Sequence, residues 1–454
     1  MSGPLSSLSV ELVQEIAAYL DTHDQAAVRA TCSALSAALD PLLFSALTLN
    51  IRNESLERDL SRLRALGDGR TPYSHYARDL YIKQLTPYFW NPEKDPKIAE
   101  EETRCLIELE VALKLALGRL GGVQTVRWVG SSLDRDWVPE IVLDALATWE
   151  IREFTYEPGQ RKTLPAFDRL SGASLERLSV PVRPTADLTP LLALLQRSPN
   201  LTSLSLSAST DPSRLHDIWS CLLEYSIHLV ELSINSVSSQ LCEYLTSYTG
   251  LRRLVLRDVD TSRASRDMAD TFFERVLPQH SASLIELRLV PGYTGNWSFG
   301  THNHIPFSSL THLQTLELAL DTARKGGAAQ TRKDLTVLLE ILPRLPALRE
   351  LTLRTTQDEW FRDEIVCGHG MVGYWREIGD RMQDVLEGYR YPAGTVLPTG
   401  LEVKAPFLRN GRCLRLVEAE DGDVLEYAYA QFEGGRRLSK EECAVHDDDS
   451  DDDD

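Results

Sequence analysis

The chain has 454 residues, 43% hydrophobic and 25% charged, which is the balance of a globular protein with room for two or three domains or one extended repeat array. Its formal net charge is −19, with seven of those charges in Asp447–Asp449 and Asp451–Asp454, and no cluster of Lys and Arg offers the surface a nucleic-acid reader needs. The seven cysteines form no CxxC pair, no run approaches the ~18 apolar residues of a membrane span, and no secretion leader opens the chain. The expectation is therefore reduced thiols, no nucleic acid, no membrane, no cofactor or metal, and a cytoplasmic or nuclear setting.

Residues 5–39, LSSLSVELVQEIAAYLDTHDQAAVRATCSALSAAL, read as three short amphipathic helices. Leu8, Leu12, Ile16 and Leu20 recur every four residues and mark one face of the first. Asp24 is the expected N-cap of the second, which carries Val28. Cys32, Leu35 and Leu39 continue into a third that Pro41 closes. A unit this small buries too little surface to be comfortably stable alone.

ARDLYI from 77 is expected to be the strand of an early, longer repeat. Ile98, Leu106, Leu109, Leu113, Leu117 and Leu120 form the stripe of a long helix. The intervening loop carries Tyr88, Phe89 and Trp90, an aromatic group suited either to contact a target or to pack on the neighbouring helix.

A hexamer then recurs. VQTVRW at 123, IREFTY at 151, LERLSV at 175, LTSLSL at 201, LVELSI at 229, LRRLVL at 251, LIELRL at 284, LQTLEL at 313 and LRELTL at 348 share Leu-x-x-Leu-x-Leu or its apolar equivalent. The second and third apolar positions, two apart, fall on one side of a short strand, and the first sits at the bend leading in. The segments between look helical: Asp211 with Pro212 and Thr189 with Pro190 have the form of an N-cap followed by a first-turn proline, and Gly250 that of a C-terminal stop. Periods of 22 to 35 residues place each strand beside the previous one, as in leucine-rich repeats, a family the pattern resembles. The asparagine usual after the strand is absent, Ser209, Val237 and Val259 standing there, which predicts irregular repeats with uneven helices.

Beyond the last hexamer, Gly368, Gly370 and Gly373 spell GxGxxG. The apolar run before them is short, Glu387 lies on the following helix, and too little chain remains for a dinucleotide fold, so a glycine-rich loop is the better reading. His302, His304 and His312 lack a carboxylate or cysteine at ligand spacing. Asn410-Gly411 and Asp421-Gly422 mark hairpin turns of a three-stranded antiparallel meander over 402–431, a cap for the array or a binding surface. After Leu438 the chain is acidic, with Ser450 among aspartates, and is expected to be a disordered solubility tail.

The opening helices resemble an F-box. Leu8, Glu11, Leu12, Ile16, Leu20, Asp24, Val28, Arg29 and Cys32 fall on its typical positions, while Ser9 replaces its usual proline and Leu35 its usual tryptophan. The resemblance, joined to the repeats, implies a non-catalytic substrate receptor of an SCF-type cullin-RING ubiquitin ligase. Leu8, Leu12, Ile16, Leu20 and Val28 would then contact the Skp-type adaptor or form the unit's own core, and the repeats would hold an unidentified target. The alternative is a repeat scaffold or GTPase regulator similar to Ran GTPase-activating proteins, which also combine leucine-rich repeats with an acidic tail. The fold class is α/β: a three-helix F-box unit (1–42), atypical first repeats with an inserted loop (43–122), an irregular leucine-rich-repeat solenoid of curved parallel sheet with outer helices (123–356), a glycine and aromatic loop with a helix (357–400), an antiparallel β-meander (401–438) and the acidic tail (439–454).

Overall fold

The computed structural model describes residues 8–87, 96–159, 164–208, 212–259, 263–321, 327–357, 369–392, 394–405, 413–418, 425–433 and 436–438. The chain divides into two compact units, and the division falls inside a strand at Ser205/Leu206; Glu224–Ile227 belong to the first unit.

The first unit opens with α1 (Val10–Ala17), α2 (Thr22–Arg29) and α3 (Ser33–Leu43). β1 (Ala46–Leu49), α4 (Leu56–Gly67), α5 (Tyr73–Tyr76), β2 (Asp79–Ile82), α6 (Pro96–Arg119), β3 (Thr125–Val129), α7 (Trp137–Leu146), β4 (Glu153–Glu157), β5 (Arg177–Val182) and α8 (Thr189–Gln196) follow. β1 to β5 pair parallel in chain order, so each strand-and-helix unit lays its strand on the one before. The register aligns the second apolar position of every hexamer: Leu80 sits opposite Val126, Val126 opposite Phe154, and Phe154 opposite Leu178. All four are at most 2% exposed. The aromatic variants obey the same register. Trp128 lies beside Tyr156 with ring centroids 5.2 Å apart, and Phe167 closes on Tyr156 at 5.3 Å and Phe154 at 5.5 Å. These are the edge-on contacts aromatic rings prefer. On the helical side α4 packs on α6; of the stripe read from the sequence, Leu109, Leu113 and Leu117 are buried, as is Leu120 just past the helix, Leu106 is half-buried, and the Ile98 side chain lies outside the described residues.

β6 (Ser203–Ala208) spans the division. The second unit continues through α9 (His216–Glu224), β7 (Glu231–Ile234), α10 (Ser239–Thr246), β8 (Arg253–Arg257), α11 (Arg263–Thr271), α12 (Leu277–Gln279), β9 (Glu286–Val290), β10 (Thr315–Leu320), α13 (Gly327–Ile341), β11 (Glu350–Thr355), α14 (His369–Gly388) and β12 (Glu402–Lys404). Between α11 and α12 the backbone of Phe272–Val276 winds one π turn, a local widening of the helix. Here the apolar ladder runs Leu232, Leu254, Leu287, Leu316, Leu351, Val403, each opposite the next and none more than 1% exposed. β12 is parallel to β11 and antiparallel to β13 (Cys413–Glu418); β13 pairs antiparallel with β14 (Leu425–Glu433), and β14 with β15 (Arg436–Leu438).

Each of the nine strands from β3 to β11 begins at the third residue of its hexamer. The first hexamer residue stays outside the strand yet is buried, as Leu251, Leu284, Leu313 and Leu348 are at 0% exposure. A hydrogen-bond fork fixes this bend. The carbonyl of Arg252 accepts from both Ile285 N (2.8 Å) and Glu286 N (3.0 Å), and Arg152, Gln314 and Ile285 carbonyls each take the same pair of donors from the next unit. Val237 and Val259, in the place of the missing asparagine, are buried aliphatics at 6% and 3%.

Local signals were displaced in five places. Asp21, not Asp24, caps α2, its Oδ1 accepting from Asp24 N at 2.8 Å, because the chain turns into the helix three residues earlier. Pro41 sits within α3 and does not close it; the proline lacks the N–H that would reach Ala37, whose position is exposed, and the helix runs on to Leu43. Thr189 is the first residue of α8 and not its cap; Asp187 takes its N–H at 3.0 Å. Pro212–Leu215 form a 3-10 turn ahead of α9, and Asp211 lies outside the described residues. Gly370 and Gly373 lie inside α14, so this part of the GxGxxG is helix and not loop; Gly368 is outside the described residues.

Between α10, α12 and the bend before β8, His280 bridges two repeats. Its Nδ1 accepts from Leu251 N at 3.4 Å, so Nε2 carries the proton toward the Leu245 carbonyl at 2.9 Å. Burial holds its pKa below the ordinary histidine value, the Leu245 bond opposing in part. A neutral buried imidazole of this kind contributes stability above the unfolded pKa of about 6.5 and loses it as pH falls toward the depressed folded value. Stability of the wild type in urea should therefore fall as pH drops below about 6.5, by up to about 1.4 kcal/mol per pH unit relative to His280→Gln, which lacks the titrating ring.

Candidate functional site

α1 is only eight residues long and carries apolar side chains on two sides. Ser9 caps it, its Oγ accepting from Leu12 N at 3.4 Å, so the residue that departs from the F-box pattern starts the helix. The Glu11 carboxyl beside it is held below the usual carboxylate range by its own backbone N–H and the Ser9 hydroxyl.

The core of the three-helix head consists of Val13 and Ala17 from α1 with Leu35, Ala38 and Leu39 from α3; Val28, Leu42 and Leu43 pack against it half-buried. Polar ties lock the same arrangement. Gln14 Nε2 donates to the Ala38 carbonyl (2.9 Å), and Gln25 Nε2 to the carbonyls of Ala17 (2.9 Å) and Leu20 (3.1 Å). Arg29 Nε donates to Asp40 at 2.5 Å while its guanidinium lies over the Phe44 ring at 5.2 Å.

This packing reassigns the face expected from the sequence. Leu12 and Ile16 do not enter the core: they are 49% and 48% exposed, Leu8 just before the helix is 37% exposed, and Val10 and Tyr19 are exposed as well. Leu20 and Val28 are half-buried. The head therefore completes a small core with one stripe of α1 and leaves a second apolar stripe bare. Val13 and Ala17 were missed because they share the four-residue spacing of Leu12 and Ile16, one position on. The legible signal was their excess: with Val10, Leu12, Val13, Ile16 and Ala17 all apolar, α1 has more such positions than a single face accommodates.

A second surface is built by the strands of the second unit. Among residues alternating with the buried ladder, Glu317 of β10 is 3% exposed and meets Arg354 of β11 (2.7 Å) and Arg288 of β9 (3.3 Å), with Arg257 of β8 at 3.9 Å. Glu286 pairs with Arg253 (3.0 Å) and Arg288 (2.5 Å), and Lys404 with Glu350 (3.0 Å). Parallel strands in register place these charges on adjacent rungs, making a charged network across β8–β12 that buried Val255 of β8 interrupts.

Other candidates have local roles. Tyr88, Phe89 and Trp90 lie outside the described residues; just before them the Leu85 and Thr86 N–H groups donate to buried Asp134 Oδ1 at 2.9 and 3.0 Å. His302 and His304 are within hydrogen-bonding distance of the Asn296 (3.2 Å) and Thr301 (2.9 Å) carbonyls. Among the described residues Asp21, His23 and Asp24 bring three potential metal-ligand atoms together, all exposed, and Asp21 caps α2 with its carboxylate. No described helix is long and apolar enough to cross a membrane.

No family model matches the chain, and no curated protein matches it. Among solved structures it is similar to the crystal structure of a TLR13–ssRNA13 complex, at 12% identity and a TM-score of 0.30, over 64% of this chain and 47% of that one. The chain thus spans about half the length of that structure.

Two substitutions separate the stripes of the head. Leu39→Ala, at a position with no exposure, should destabilise the head by about 2–5 kcal/mol, seen as faster hydrogen exchange throughout α1–α3. Ile16→Asp, on the half-exposed stripe, should cost only about 1 kcal/mol. Equal losses from both would refute the assignment of faces.

Proposed function

We propose that the chain is a non-catalytic substrate-recognition subunit of an SCF-type ubiquitin ligase, with α1–α3 as an F-box docking the Skp-type adaptor, and through it a cullin, and with the strand-and-helix repeats holding the target protein. The observation that carries this reading is the apolar stripe of Leu8, Leu12 and Ile16, left exposed by a head that has already closed a separate core. Contiguous apolar surface of this kind is favourable to cover and marks interaction sites. The charged face across β8–β12 supplies a polar surface for the target. Such a receptor needs no acid, base or nucleophile: it raises the effective concentration of a target lysine near the ligase, in the cytoplasm or nucleus.

Co-expression with a Skp-type adaptor tests it. The full chain should co-purify with the adaptor, and the double substitution Leu12→Asp with Ile16→Asp should weaken the complex by about 2–4 kcal/mol while hydrogen exchange shows α1–α3 still folded. Absence of a complex, or one indifferent to both substitutions, would reject the receptor reading and favour a ubiquitin-independent repeat scaffold.

A further inference from the structure

The first unit has an open end. β1 pairs with β2 on one side, and no described residue forms a strand on the other. Asp79 N donates to the Ser45 carbonyl (3.0 Å), Lys83 N to that of Leu49 (2.9 Å), and Ile51 N to that of Gln84 (2.8 Å). Backbone groups alternate sides along a strand, so the odd-numbered residues address β2 and the N–H and C=O groups of Ala46, Thr48 and Asn50 point to the free edge.

Beneath that edge is a groove of about 400 Å³, lined on one side by β1 and on the other by α4 and the segment before α5. Leu47, Leu49, Leu63, Leu66 and Tyr73 contribute its apolar wall. Its one acid, Asp59, is matched by Arg58 and Arg62 at 3.8 and 3.7 Å and accepts from Ser55 Oγ at 2.6 Å, leaving no unbalanced anion at the wall. Thr71 Oγ1, also at the wall, is shielded and has no hydrogen-bond partner among the described residues.

We infer that this end is a docking site for an extended segment of a partner protein, aliphatic at alternate positions, which adds to β1 as a further strand. The row of Ala46, Thr48 and Asn50 fits only extended backbone, since a helix has no free donors and acceptors along its side. The two-residue alternation of a strand then drops every second side chain onto Leu49, Leu63 and Leu66, and a volume of about 400 Å³ accommodates two or three aliphatic groups. The chain's own remaining ends match poorly: MSGPLSS contains glycine, proline and a single leucine, and the segment after Leu438 is strongly acidic. The site lies outside α1–α3 and is independent of the adaptor reading.

The probe is the peptide acetyl-Thr-Val-Thr-Val-Thr-Val-Thr-amide, with two controls: the same peptide N-methylated at alternate residues, and one with Asp for Val. Amide exchange in the full chain should be fast at Ala46, Thr48 and Asn50 and slow at Leu47 and Leu49. The probe should slow the first three by about tenfold or more, and neither control should do so. Thr48→Pro, which removes an outward N–H without touching the β2 ladder, should weaken the effect by about tenfold. The inference is overturned if the probe leaves those amides unprotected or if either control protects them equally. Slow exchange at the three amides before any peptide is added also overturns it: loss of that protection on truncating a terminus would assign the edge to the chain itself, and concentration-dependent sedimentation would assign it to a second copy.

Discussion

The structure depends on a shared carbonyl at the foot of each strand. At eight of the nine hexamers, all but the one at 229, two successive N–H groups of one repeat converge on a single carbonyl of the previous repeat. This fork pins the first leucine at a bend and starts the strand two residues later, so the second leucine falls opposite its predecessor. Without that constraint a one-residue slip would turn each leucine to the opposite face and expose the ladder. The fork needs backbone only, which explains why Phe154 and Trp128 enter the register as readily as leucine.

This dependence on neighbours explains both where the repeats were legible and where they were not. Nine hexamers fixed nine strands because burial and pairing act at the same six positions, and side-chain period and backbone geometry agree. The helices between them read less well. Their starts are set by how the chain leaves the preceding loop, so Asp21 caps α2 in place of Asp24, and α8 starts after Leu188 with Thr189 inside it. Gly370 and Gly373 became helical because glycine permits a loop without compelling one.

The head shows a different limit. Leu12 and Val13, or Ile16 and Ala17, are adjacent in sequence and both apolar, and periodicity cannot say which member of each pair faces inward. The choice rests on α3, whose Leu35, Ala38 and Leu39 meet Val13 and Ala17, and on the Gln14 bond to Ala38. The edge groove was equally invisible: β1, α4 and Thr71 are apart in the sequence and line it together only in the fold, and no local pattern encodes a strand's lack of a second partner.

The two apolar surfaces follow from one physical requirement at the start of the chain. A repeat buries its leucines against neighbours on both sides, so the first repeat has one neighbour too few. A three-helix head directly before it would be the natural cover, yet its core-forming side chains are directed at one another and Leu8, Val10, Leu12 and Ile16 are exposed. Half-exposed Leu12 and Ile16 each leave on the order of 1 kcal/mol of burial unrealised, and the bare edge of β1 leaves its outward donors and acceptors to water. Neither feature helps the isolated chain fold, and each would be simple to remove by a polar substitution or a proline. Surfaces that folding does not require, differing in geometry (one helical, one extended), are the two on which the proposed adaptor docking and the proposed strand addition rest.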